Sequence, residues 1–72
     1  MKEEIRELLE DSLPLVDLDS EFLFPELDSL DIATILMKLS DKYGVKLEHS
    51  DVTPRNFKSL ESLAEMVKAK LG

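Results

Sequence analysis

Apolar residues recur every three to four positions in three stretches of this chain, and helix-breaking residues divide the stretches, so the sequence is committed to α-helix. In residues 2–12, Ile5, Leu8 and Leu9 share one helical face, which Leu13 extends. Glu3 and Glu4 fall in the first turn, where the positive end of the helix dipole favours carboxylates. Pro14 stops this helix, because proline lacks an amide donor and its ring clashes with the preceding turn. From Asp28 the pattern returns through Ile32, Leu36, Leu39 and Tyr43, widened by Ala33, Ile35 and Met37, until Gly44 offers a left-handed cap. A last helix opens at Ser59 and aligns Leu60, Leu63, Ala64, Val67 and Leu71, with Lys68 and Lys70 near its C-terminus.

The segments between are equally informative. Leu15 to Leu27 mixes apolar residues with Asp17, Asp19, Ser20 and Pro25 and sustains no period, so it reads as a long ordered loop. Long loops in compact domains usually have a function. Val45-Lys46-Leu47 is too short for a strand, and Thr53-Pro54 predicts an N-cap and first-turn proline opening a short helix through Asn56. The expectation is an all-α bundle of three main helices plus one short one, residues 1–72 forming a single domain.

A chain of 72 residues holds one modest core, too little for an elaborate catalytic cleft. With no cysteine there is no disulfide framework, thiolate metal site or cysteine nucleophile. The apolar runs are far shorter than the ~20 residues that cross a bilayer, and Met1-Lys2-Glu3-Glu4 leads into no signal segment, so a cytoplasmic monomer is expected. The formal charge of −7 repels nucleic-acid phosphate and favours partners with basic docking surfaces. That charge is concentrated: residues 1–27 hold nine acids and two bases, and the remainder holds seven of each.

The helix, long loop, central helix beginning at Asp28-Ser29-Leu30-Asp31, short helix and final helix together resemble the acyl carrier protein family over nearly the whole chain. In that family the Asp-Ser-Leu triplet begins the second helix and presents the serine that accepts phosphopantetheine from coenzyme A. The resemblance therefore implies Ser29 as the attachment point of 4′-phosphopantetheine, with Asp28, Leu30 and Asp31 as its flanking motif. It also implies a protein that is not an enzyme. Its partners would be a phosphopantetheinyl transferase and the enzymes that load and process acyl or aminoacyl thioesters, in fatty-acid or polyketide biosynthesis. Phe22 falls where the family usually buries a loop aromatic, Leu39, Leu47, Val52, Phe57, Leu60 and Leu63 match core positions, and Ile35, Met37 and Leu39 would lie near an apolar cleft.

The residues themselves agree with this reading. Asp28 can cap the turn that follows and Asp31 can answer as a capping box, leaving Ser29 at the helix mouth, where free N–H groups tolerate an anion. Two features depart from fatty-acid carriers. Glu26 and Leu27 stand where those usually have glycine and a small residue, and the second helix carries Thr34, Lys38, Ser40, Asp41 and Lys42 in place of a row of glutamates. Leu27-Asp28-Ser29 also occurs in aminoacyl and D-alanyl carriers, so the cargo stays open, as does an adaptor with no covalent cargo. A serine hydrolase would need a base and an oxyanion site, yet the one histidine, His49, sits in a polar stretch without a nucleophile elbow. The glutamates of the first helix lack the spacing of a calcium loop, so no metal is expected.

Overall fold

The computed structural model describes residues 1–72 and contains three α-helices and no strand: α1 (Lys2–Glu10), α2 (Ser29–Tyr43) and α3 (Leu60–Leu71). Two 3-10 turns, Phe24–Glu26 and His49–Asp51, interrupt the connections. α1 packs against both other helices and most extensively against α3. The interior is one cluster to which every helix contributes: Ile5 and Leu9 from α1, Ile35 and Leu39 from α2, and Leu60, Leu63, Ala64, Met66 and Val67 from α3. Each side chain leaves water in proportion to its apolar area, at about 25 cal/mol per Å².

The helix ends follow from local chemistry. α1 stops at Glu10, earlier than the sequence reading, but the Leu13 amide still reaches the Leu9 carbonyl at 2.8 Å, which carries Leu13 into the core. Gly44 ends α2 with φ 64° and ψ 31°, and its amide donates to the Ser40 carbonyl at 2.9 Å. A side chain would be strained in that left-handed conformation. At the start of α3 the Ser59 hydroxyl accepts from the Ser62 amide at 3.3 Å.

The fourth, short helix closes after a single turn. Thr53 caps as expected, its Oγ1 accepting from the Asn56 amide and its carbonyl from the Phe57 amide, each at 3.0 Å. The turn goes no further because Phe57 is buried and Ser59 must be extended to cap α3. The Lys58 carbonyl between them instead accepts from the Leu23 amide across the molecule, at 2.6 Å.

Three sequence expectations about packing are corrected. Phe22 is 65% exposed, and its neighbour Leu23 takes the buried place in the loop. Met37 is exposed and cannot line one cleft with Ile35 and Leu39, which face the core about 160° away around α2. On α3 the buried face includes Met66, while Leu71, the last helical residue, is exposed.

Candidate functional site at the start of the second helix

The first turn of α2 is built by two aspartates. Asp28 is extended (φ −97°, ψ −178°) and occupies the N-cap, its Oδ1 accepting from the Asp31 amide at 2.8 Å. Asp31 returns the contact, its Oδ2 accepting from the Asp28 amide at 3.3 Å. This reciprocal capping box satisfies two backbone donors and fixes the direction in which the helix starts. Thr34 adds a hydroxyl bond to the Leu30 carbonyl at 2.9 Å.

Ser29 is thereby the first helical residue, one place after the cap. It is exposed, and its hydroxyl has no partner within the chain. The capping is done by Asp28, so the serine contributes none and its oxygen is left for chemistry from outside. Beside it the amides of Ser29 and Leu30 have no acceptor, at the end of a 15-residue helix whose dipole is positive there. Leu30 follows at 74% exposure, and with Ala33 and Met37 forms an apolar stripe on the solvent side of α2. All four motif residues expected from the sequence are therefore brought together at one helix start.

The site protrudes. A concavity of about 760 Å³ lies elsewhere, over the loop and the start of α3 between Phe22 and Lys58, and most of its lining is polar. No side chain hydrogen-bonds the Ser29 hydroxyl, the neighbouring carboxylates of Asp28 and Asp31 are engaged with each other's amides, and His49 is exposed in the 3-10 turn that follows α2. A protruding hydroxyl, free amides and an exposed apolar neighbour suit a group that another protein's active site takes hold of. A phosphodiester on this oxygen would meet solvent and the two free amides, which fits a phosphate-linked group.

Sequence reasoning missed the ties that hold the loop before this helix. Arg6 Nη2 donates to Asp19 Oδ2 at 2.9 Å, the Asp19 amide to Asp17 Oδ1 at 3.2 Å, and the Asp17 amide to Glu26 Oε1 at 3.3 Å. The Asp-x-Asp pattern at 17–19 is the one local signal for them, since an aspartate commonly accepts from the amide two residues on.

No curated protein and no solved structure matches this chain at a significant level. The family model for the phosphopantetheine attachment site matches residues 1–69. Together with the three-helix architecture and the motif at its second helix, that match makes the chain a member of the phosphopantetheine-attachment family, whose domains are non-catalytic carriers holding 4′-phosphopantetheine on a serine.

Proposed function

We propose that Ser29 is the serine that holds the prosthetic group, and that residues 1–72 act as one monomeric carrier of acyl thioesters between cytoplasmic biosynthetic enzymes, of fatty-acid or polyketide type. The observation that carries this reading is the position of Ser29: exposed, without a hydrogen-bond partner, and one residue after the N-cap, inside a reciprocal capping box. In the modification the serine oxygen bonds to the phosphorus of coenzyme A's pantetheine phosphate. The pyrophosphate link breaks, the nucleotide bisphosphate leaves, and the hydroxyl proton passes to the transferase. The attached group supplies a terminal thiol on which cargo is held as a thioester.

The chain's own residues orient and present. Asp28 and Asp31 fix the helix start, Leu30 offers an apolar contact beside the serine, and the free amides of Ser29 and Leu30 suit the phosphodiester. A second reading, aminoacyl or D-alanyl cargo, is favoured by Leu27-Asp28-Ser29 and by Glu26 in place of glycine. No helix is long and apolar enough to cross a membrane, in keeping with exchange among water-borne partners.

The test is intact mass after incubation with coenzyme A, magnesium and a broad-specificity phosphopantetheinyl transferase, beside Ser29→Ala. Gain of one phosphopantetheine by the wild type alone supports the reading. Absence of gain in both, from unmodified starting material and while a known carrier is modified in parallel, would return the chain to an unmodified adaptor. Loading with fatty-acyl, malonyl and aminoacyl donors then separates the cargo classes.

A further inference from the structure

Glu26 stands two residues before the cap of α2, where fatty-acid carriers usually have glycine, and its side chain reaches back across the loop. Its Oε1 accepts from the Asp17 amide at 3.3 Å, Asp17 Oδ1 accepts from the Asp19 amide at 3.2 Å, and Asp19 Oδ2 accepts from Arg6 Nη2 at 2.9 Å. A continuous polar chain therefore runs from the middle of α1, through the loop, to the segment leading into α2. The other side of that segment is anchored separately, by the 2.6 Å bond from the Leu23 amide to the Lys58 carbonyl and by the edge-on contact of Phe24 with Phe57, centroids 6.4 Å apart. Only Leu27, extended at φ −99° and ψ 134°, separates Glu26 from the cap. The capping box fixes the first turn against its own helix. It does nothing to fix the loop against α1; the polar chain does so, alongside the burial of Leu18 and Leu23 in the core that Ile5 and Leu9 share.

We propose that Glu26 and Arg6 are positioning residues for the modification of Ser29, holding the preceding loop in the arrangement that an incoming transferase accepts. The inference rests on the assignment of Ser29 made above. Both residues act through the loop. A loop released into several arrangements presents the accepted one for only a fraction of the time, which raises the apparent KM for the carrier by the inverse of that fraction. At saturation the turnover is unchanged.

The experiment measures kcat and KM for the carrier, by intact mass, with coenzyme A, magnesium and the transferase. It compares the wild type, Glu26→Ala, Glu26→Gln, Arg6→Met and the Glu26→Ala/Arg6→Met double variant, with amide hydrogen exchange read at Asp17. Glu26→Ala is expected to raise KM about three- to tenfold, the factor that one net hydrogen bond corresponds to, with kcat within about twofold. Exchange at Asp17 should quicken in the same variant. Glu26→Gln keeps an acceptor oxygen and should restore both. Arg6→Met should raise KM less, and the double variant should fall short of the product of the two, because both cut one chain.

The proposal is overturned by an unchanged KM in Glu26→Ala, or by a fall in kcat at constant KM. It is overturned equally if Glu26→Gln is as impaired as Glu26→Ala, which would mean that the carboxylate charge meets the transferase directly. Failure of the underlying assignment looks different. The wild type would gain no mass, or Ser29→Ala would gain as much as the wild type, and this proposal would fall with it.

Discussion

Asp51 is the carboxylate most tightly held by the fold, and its removal should cost stability in a pH-dependent way. Its Oδ2 accepts from the Glu48 amide at 2.9 Å, its Oδ1 meets Lys70 Nζ at 3.2 Å, and its carbonyl accepts from Asn56 Nδ2 at 2.9 Å. The side chain is only 15% exposed. The Glu48 amide draws its pKa below the ordinary carboxylate value, against the opposing effect of burial, and the Lys70 bond and charge add to the lowering. The stabilisation is therefore complete above the unfolded value of 3.8 and is lost as pH falls through the lowered folded value. Asp51→Asn at pH 7 should cost about 1–3 kcal/mol, the usual range for disturbing a hydrogen bond to a charged group. For a domain of this size, with total stability of roughly 4–11 kcal/mol, the melting temperature would drop by about 5–20 °C. Lys70→Met should cost less, about 0.5–1 kcal/mol, because the ammonium is 35% exposed and its contribution ranks behind the amide's. Thermal and urea unfolding by circular dichroism, from pH 7 to pH 3, reads both. A gap between wild type and Asp51→Asn that stays constant over that range, or a larger loss in Lys70→Met than in Asp51→Asn, would refute the reasoning.

Tyr43 donates to Glu4 Oε1 at 3.1 Å, and burial, then that hydrogen bond and the Glu4 charge, raise its pKa above 10.0. As the chain's one tyrosine it gives an unambiguous absorbance titration, expected to fall above the ordinary value and to return toward it in Glu4→Ala. The stabilisation is present below 10.0 and lost as pH rises through the folded value, so Tyr43→Phe should cost about 0.5–1.5 kcal/mol at pH 7 and less at high pH, by urea unfolding. Leu30→Asp and Met37→Asp alter exposed side chains, so stability should move by no more than about 0.5 kcal/mol while kcat/KM for modification falls roughly tenfold; unchanged kinetics would free that stripe of a docking role. Reversing Glu7, Glu10 and Asp11 to lysine should slow modification at low salt and matter less at ~0.5 M salt, where the Debye length is a few ångströms; equal rates at low salt would leave these carboxylates as a solvated face.

The sequence makes some features of this fold legible and hides others for identifiable reasons. Helix starts are chemically encoded over a few residues, so the caps at Asp28, Thr53 and Ser59 could be read directly, and each accepts from the amide three residues on. Gly44 was legible because a left-handed residue is where glycine costs least. Orientation within the loop was not legible. Phe22 and Leu23 are both apolar, and the choice of which one is buried depends on the Leu23 amide finding the Lys58 carbonyl, a partner 35 positions away. The tie from Glu26 to Asp17 likewise spans nine residues without a period to announce it. The short helix read through Asn56 is a single capped turn, and the extended Ser59 that caps α3 follows it at once.

The same division separates stability from function. The buried residues lie on the inner faces of α1, α2 and α3 and on the loop side chains Leu13, Leu18, Leu23 and Phe57. Ser29 and Leu30 lie outside that cluster, and the cap that fixes them is supplied by their neighbours Asp28 and Asp31. A bulky group attached at Ser29 thus displaces no core atom and removes no cap. Ser29→Ala should for the same reason melt within a degree or two of the wild type, whereas Asp28→Ala should cost about 0.5–2 kcal/mol, the usual loss on removing an N-cap. Comparing the two variants separates the serine as substrate from the aspartate as scaffold. If Ser29→Ala proved as destabilising as Asp28→Ala, the hydroxyl would be part of the helix start after all, and its availability to an outside enzyme would lose its structural basis.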